Sequence, residues 1–185
     1  MRPLVLDASA ALAYLLGEPD AERVERELDA RDVVQVPWFF WTEIINVLAR
    51  RRRWPGSQVL AAVYDLERFG IRTESPSRQT MLAVIDAVDT HGLSAYDAEY
   101  VVLAELADAD LLTGDAFLAG AAGAAGARAI RIGTHHRLAE QAAGYPERIR
   151  SADAGWQHWP GAVEYMAELR REAASDLETL RSGRA

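Results

Sequence analysis

Residues 93–115 decide the fold of this chain and read LSAYDAEYVVLAELADADLLTGD. Ser94 stands where a helix N-cap belongs, and Asp97 follows it in the first helical turn. Apolar residues then recur at the spacing of a helix that packs on a sheet, namely Tyr100, Val101, Leu103, Ala104 and Ala107. The pair Leu111-Leu112 indicates a short strand that ends at Thr113-Gly114-Asp115. One carboxylate therefore opens a helix and another closes the next strand, where parallel sheets bind ligands.

The N-terminus repeats this arrangement of an apolar strand, an acid and a helix. Val5 and Leu6 precede Asp7, and a helix is predicted to follow. Glu43 lies inside a further helix predicted over residues 38–53. A single Asp at a cap or turn is common for structural reasons alone. The informative feature is therefore the set of four acids on a chain that alternates strands and helices: Asp7, Glu43, Asp97 and Asp115.

With this set of acids the chain resembles the PIN-domain ribonucleases and, among them, the VapC toxins of bacterial toxin–antitoxin pairs. Four segments carry the resemblance, in matching order: VLDASA at 5–10, PWFFWTEIINVLAR at 37–50, LSAYDAEY at 93–100 and LLTGD at 111–115. The resemblance covers about residues 1–133. It implies a three-layer α/β fold with a mostly parallel sheet in the strand order 3-2-1-4-5.

The resemblance also implies a metal-dependent endoribonuclease with an acidic site made of Asp7, Glu43, Asp97 and Asp115. Converging carboxylates repel one another, and hard divalent cations such as Mg²⁺ or Mn²⁺ relieve that repulsion and assist phosphodiester hydrolysis. Ser9 and Thr113 carry hydroxyls that can orient water or phosphate, and a local turn-capping role is an equally good interpretation. Members of the family are inhibited by a cognate VapB-like antitoxin, and they commonly form homodimers.

Length and composition limit the other possibilities. The 185 residues predict one domain at 1–133 and an extension at 134–185, with an amphipathic helix at about 162–181. The chain has no Cys and no Lys, which excludes a disulfide framework and a P-loop. The missing Lys also argues against phosphatases of the haloacid-dehalogenase type and against response-regulator receivers. With no apolar leader and no membrane-length segment, a cytoplasmic protein is expected.

Two surface features are expected to contact partners. The net charge is −8, yet Arg50, Arg51, Arg52 and Arg53 are consecutive. They either balance a helix dipole, bind RNA phosphates or pair with an acidic antitoxin segment. The aromatic block at residues 38–41 is too dense for one buried face, and a dimer or antitoxin interface is favoured over RNA base stacking.

Two alternatives to a ribonuclease toxin remain open at this stage. The first is a catalytically silent PIN-like regulator that binds RNA or protein, which a missing acid would favour, whereas all four acids are present here. The second is a metal-dependent DNA nuclease of the flap type. Such nucleases usually carry large insertions that this chain lacks.

Overall fold

The computed structural model describes residues 2–133, in which strands and helices alternate. The strands are β1 Leu4–Leu6, β2 Val34–Pro37, β3 Arg72–Glu74, β4 Asp110–Thr113 and β5 Arg128–Arg131. The helices are α1 Ala8–Leu15, α2 Ala21–Asp29, α3 Phe40–Asn46, α4 Gly56–Glu67, α5 Arg78–His91, α6 Ala95–Leu106 and α7 Ala116–Ala124. The extension predicted for residues 134–185, with its helix at about 162–181, lies outside the described residues.

The five strands form one sheet in the order β3-β2-β1-β4-β5, and every pairing is parallel. The predicted α/β class and strand order are thereby confirmed. Every residue of β1 and β4 is buried, so helices cover both faces of the sheet, as expected for a parallel sheet. Leu6 pairs with Leu112, so the residues that follow them, Asp7 and Thr113, lie side by side at the carboxyl edge.

The helix that carries Asp97 has a well-defined start. Gly92 ends α5 with φ 64°, a left-handed conformation that glycine adopts without steric cost. Ser94 then caps α6, because its hydroxyl accepts a hydrogen bond from the Asp97 amide at 3.1 Å. The N-cap predicted at Ser94 is confirmed, and it places Asp97 in the first turn of α6.

The helix that carries Glu43 differs from the prediction over residues 38–53. It begins at Phe40, because β2 extends through Pro37, which pairs with Glu74 of β3. After Asn46 it continues as a π-helical turn over Val47–Arg51. This wider turn depends on how the helix end packs, so the local sequence pattern did not reveal it.

The π-helical turn has a consequence for the arginine run. In a regular α-helix the buried stripe through Ile44 and Leu48 would continue to Arg51 and Arg52. The wider turn changes this register: Arg51 is exposed and Arg52 is only half-buried. The helix therefore ends without carrying a guanidinium into the core.

None of the helices described within residues 2–133 has the length and apolar character that a membrane span requires.

Candidate active site

Asp7 is the most buried acid at the carboxyl edge of the sheet. It directly follows β1, is 7% exposed, and its amide donates to the Leu112 carbonyl at 3.0 Å. One carboxylate oxygen, Oδ2, accepts hydrogen bonds from the Thr113 hydroxyl at 2.7 Å and from the Ser9 hydroxyl. The Ser9 hydroxyl also accepts a bond from the Gly114 amide at 2.9 Å. Ser9 and Thr113 therefore hold Asp7 in place between β1 and β4.

Two helices bring the second and third acids to this edge. Glu43 lies in the first turn of α3, and the hydroxyl of Tyr100 donates to its Oε2 at 2.8 Å. Asp97 accepts a bond from the Ser94 hydroxyl through Oδ2, also at 2.8 Å. Each of these two carboxylates is thus fixed through one oxygen, and its second oxygen remains for a ligand.

The pKa values show that these three acids lie within electrostatic reach of one another. Burial raises the pKa of Asp7, the hydroxyls of Ser9 and Thr113 oppose that rise, and the charge of Asp97 adds to it. Burial also raises the pKa of Glu43, against the Tyr100 hydrogen bond, and the charges of Asp7 and Asp97 raise it further. The structure therefore brings together three of the four predicted site acids.

Asp115 is placed differently from the other three acids. It caps α7: its Oδ1 accepts from the amides of Phe117 at 2.6 Å and Leu118 at 3.0 Å. Its charge is not among those that shift the pKa of Asp7 or Glu43. A hydrogen bond from its own amide to the Thr113 hydroxyl, at 2.9 Å, links it to the group. Its observed role is that of a helix cap, and a role as a second-metal ligand stays a prediction.

Tyr100 was missed as a site residue. It was assigned to the apolar stripe of α6, and it is indeed 2% exposed. Burial, together with the charges of Asp7 and Glu43, raises the pKa of its hydroxyl far above the usual range for tyrosine, so the group stays protonated and can only donate to Glu43. One feature of the sequence does point to Tyr100 as a site residue. It lies three residues after Asp97, and residues at this spacing are neighbours on one face of a helix.

The donor chemistry of the three acids fits a hard divalent cation. All three supply carboxylate oxygens, the ligands that Mg²⁺ and Mn²⁺ prefer, and Asp7 and Glu43 are poorly solvated anions that a cation would compensate. As their side chains stand, however, no group of three His, Cys, Asp or Glu within residues 2–133 is arranged to hold a metal ion. The three acids therefore suit a divalent cation by ligand type and by their proximity to one another. Their side chains would have to move to bind it.

The raised pKa of Asp7 predicts how the metal-free protein responds to pH. The folded state holds this proton more tightly than the unfolded chain, so stability falls as the pH rises from about 3.9 through the folded pKa. Asp7→Asn removes that loss. In EDTA at neutral pH the variant should have a higher Tm than wild type, by about 2–4 °C for each kcal/mol that the buried charge costs. The Tm values of the two proteins should converge in acid.

Thermal melts across this pH range, with Asp89→Asn as an exposed control on α5, measure the effect. A neutral-pH Tm of Asp7→Asn equal to or below that of wild type would contradict the description of Asp7 as a destabilised buried anion.

Comparison with known proteins agrees with the observed fold. The sequence profile described as the PIN domain matches residues 4–123. A VapC ribonuclease of Mycobacterium bovis and ribonuclease VapC9 of Mycobacterium tuberculosis are each 33% identical over 117 residues, which is 60% of this chain and 85% of the relative.

Two crystal structures share the fold. PAE2754 of Pyrobaculum aerophilum superposes with a TM-score of 0.52 at 22% identity, over 69% of this chain and 83% of that protein. VapC20 of Mycobacterium tuberculosis, described as a toxin that cleaves the sarcin–ricin loop, superposes with a TM-score of 0.54 at 18% identity, over 70% of this chain and 99% of that protein. At this level of identity the two structures support the fold and nothing finer.

Proposed function

This chain belongs to the PIN-domain family and is of the VapC type, and we propose that it is an endoribonuclease toxin that hydrolyses RNA with Mg²⁺ or Mn²⁺. The observation that carries the proposal is the convergence of Asp7, Glu43 and Asp97 at the carboxyl edge of the sheet. The relatives' names supply the substrate class, since they are called ribonucleases. The three acids supply carboxylate oxygens for the metal ion that the proposed RNA hydrolysis uses.

Each acid has a distinct part in the proposed mechanism. Asp7 and Asp97 would hold the cation directly, Glu43 would bind it through a water molecule, and Asp115 would complete a second position. A bound cation lowers the pKa of water and stabilises charge on a phosphate oxygen. Glu43 is suited to accept a proton from the attacking water, because its raised pKa makes it a stronger base than an ordinary carboxylate. Ser9 and Thr113 keep Asp7 oriented toward the substrate.

Tyr100 is a positioning residue in this mechanism, since it acts through Glu43. Tyr100→Phe removes one hydroxyl and leaves the buried ring, so the fold should persist while cleavage falls by about 10- to 100-fold. The hydrogen bond that this variant lacks normally lowers the pKa of Glu43, so the acidic limb of the pH–rate profile should move to higher pH. Initial rates across pH test both effects. A variant with an unchanged profile would show that Tyr100 only fills space.

The arginine run is proposed to bind the RNA backbone or, in the inhibited complex, an acidic antitoxin segment. Arg50, Arg51 and Arg53 are exposed, and among residues 2–133 none of the four arginines takes part in an ion pair or side-chain hydrogen bond. Arg50 and Arg51 follow Glu43 on the same helix, roughly 10 Å further along its axis, and Arg52 and Arg53 come directly after it. Cations at this distance can balance a polyanion that approaches an acidic cleft.

Replacing Arg50 and Arg51 with alanine should weaken RNA binding in the non-cleaving Asp7→Asn protein. The slope of log affinity against log salt should become shallower by about 0.7 for each phosphate of a single strand that the protein no longer neutralises. Arg23→Ala with Arg78→Ala removes the same charge from exposed positions elsewhere and serves as the control. Equal slopes for the two double variants would assign the effect to net charge rather than to this run.

The partners follow from membership of the VapC type. We expect a cognate VapB-like antitoxin to occupy the acidic cleft and inhibit the enzyme, and we expect the protein to form a homodimer in the cytoplasm, where its RNA substrates are found. Co-expression with a candidate VapB-like antitoxin, followed by light scattering of the complex and of the isolated protein, tests both partners.

A catalytically silent regulator is the second candidate, because the three acids are not arranged as a finished metal site within residues 2–133. Measurement of RNA binding and RNA cleavage on one purified sample separates the two. Cleavage that needs Mg²⁺ or Mn²⁺ and stops with EDTA supports the enzyme. Binding without cleavage across structured RNAs, by metal-supplied protein that retains no antitoxin, supports the regulator.

A further inference from the structure

Two large aromatic side chains are exposed near the starts of the two helices that carry Glu43 and Asp97. Trp38 lies in the turn between β2 and α3 and is 53% exposed, and Tyr96 lies in the first turn of α6 and is 61% exposed. Tyr96 directly precedes Asp97, and Trp38 lies five residues before Glu43. Exposed rings of this size forgo the stability that burial would give, so a ligand that covers them is a reasonable expectation.

Phe39 joins the two exposed rings and connects them to the site. It is 4% exposed, and its ring centroid lies 5.9 Å from that of Trp38 and 5.1 Å from that of Tyr96, with interplanar angles of 88° and 82°. It also contacts Tyr100 at 5.5 Å, and Tyr100 donates to Glu43. A perpendicular contact covers at most one face of a ring, so each exposed ring keeps a face for a ligand.

We propose that Trp38 and Tyr96, with the buried Phe39 between them, form a platform on which an unpaired base of the RNA substrate stacks beside the acidic group. The proposal rests on the ribonuclease function and adds how the substrate is held. Proteins recognise RNA mostly at unpaired bases, which stack on aromatic side chains. A base on this platform would place the adjoining phosphate next to Asp97 and Glu43, where the chemistry is proposed to occur.

The position of the rings favours RNA over a protein partner. The sequence alone favours a dimer or antitoxin interface for this aromatic block. In the structure the exposed rings are linked to the site through Phe39 and Tyr100, which donates to Glu43, whereas the centre of a protein interface is usually depleted of charged residues. A nucleotide suits this combination of rings and acids better, because its base offers an uncharged face to the rings and its phosphate is the group on which the acids are proposed to act.

The test measures binding of a short single-stranded RNA of mixed sequence to Asp7→Asn protein by fluorescence anisotropy. Added Tyr96→Ala or Trp38→Ala should weaken binding by about 5- to 100-fold, because each stacked base contributes about 1–3 kcal/mol. Tyr96→Phe keeps the ring and should bind within about twofold of its parent. Ile85→Ala on α5 removes a side chain that is 60% exposed elsewhere and should leave binding unchanged.

The outcomes separate this proposal from the function on which it rests. RNA binding that both alanine variants retain would overturn the platform and leave the ribonuclease intact. A changed oligomeric state in light scattering, with RNA binding unaffected, would assign the rings to a protein interface and also overturn it. Parent protein that binds no RNA, combined with wild type that cuts none, would overturn the ribonuclease itself.

Discussion

Replacing Asp97 with asparagine is expected to reduce metal-dependent RNA cleavage by about three orders of magnitude, because cation catalysis is worth several kcal/mol. The charge of Asp97 raises the pKa of both Asp7 and Glu43, so it lies close enough to interact with those acids. Asparagine can still accept the hydrogen bond from Ser94, so the start of α6 should survive. Initial rates in Mg²⁺, with thermal melts as a check on folding, measure the effect.

The control for this variant is Asp86→Asn, which removes the same charge from an exposed position of α5. It should cleave at the wild-type rate. A folded Asp97→Asn protein that cleaves RNA as fast as this control would remove Asp97 from the site. It would also leave Asp7 and Glu43 with too few partners to hold a cation.

The largest effect on stability is expected at the opposite edge of the sheet. Asp110 begins β4 and is 1% exposed, and its Oδ2 accepts a bond from the Arg31 guanidinium at 2.9 Å. Arg2 and Arg128 lie farther from the same carboxylate, at 3.7 and 3.6 Å. Arg31→Ala would leave a buried anion without its nearest partner, which typically costs about 3–5 kcal/mol. Urea denaturation gives the free energy of unfolding.

A second ion pair provides the matched control. Arg26 and Glu22 are exposed and 4.0 Å apart, so Arg26→Ala should cost less than about 1 kcal/mol. Combining Arg31→Ala with Asp110→Leu should restore much of the lost stability, because no unpaired charge then remains in the core. If Arg31→Ala is no more destabilising than Arg26→Ala, the pair is not a buried ionic anchor.

Two central strands could be predicted from sequence because their signals are local. The apolar residues of β1 and β4 lead to an acid or a turn, whereas the parallel sheet and its strand order were implied by the family resemblance. The cap at Ser94 was equally readable, since a Ser three residues before an Asp is a helix-start pattern. These local rules placed Asp7 at a strand end and Asp97 in the first turn of a helix, and the resemblance to the PIN-domain family supplied the expectation that the two acids share one site.

What sequence did not reveal depends on contacts between distant elements. The hydrogen bond between Tyr100 and Glu43 joins two helices, and the pairing of Arg31 with Asp110 joins α2's end to β4. Each of these residues also fits an ordinary role in its own element. Asp115 shows the converse: a strand-end acid suited a metal site, while the structure uses its carboxylate as a helix cap.

A divalent-cation site formed by Asp7, Glu43 and Asp97 is central to the proposed function. Calorimetric titration of antitoxin-free protein with Mg²⁺, and separately with Mn²⁺, tests this site without knowledge of the RNA target. We expect saturable binding to wild type and its loss in Asp7→Asn, with Asp89→Asn unaffected. Absence of binding to wild type, or equal binding to Asp7→Asn, would contradict the assignment of the site.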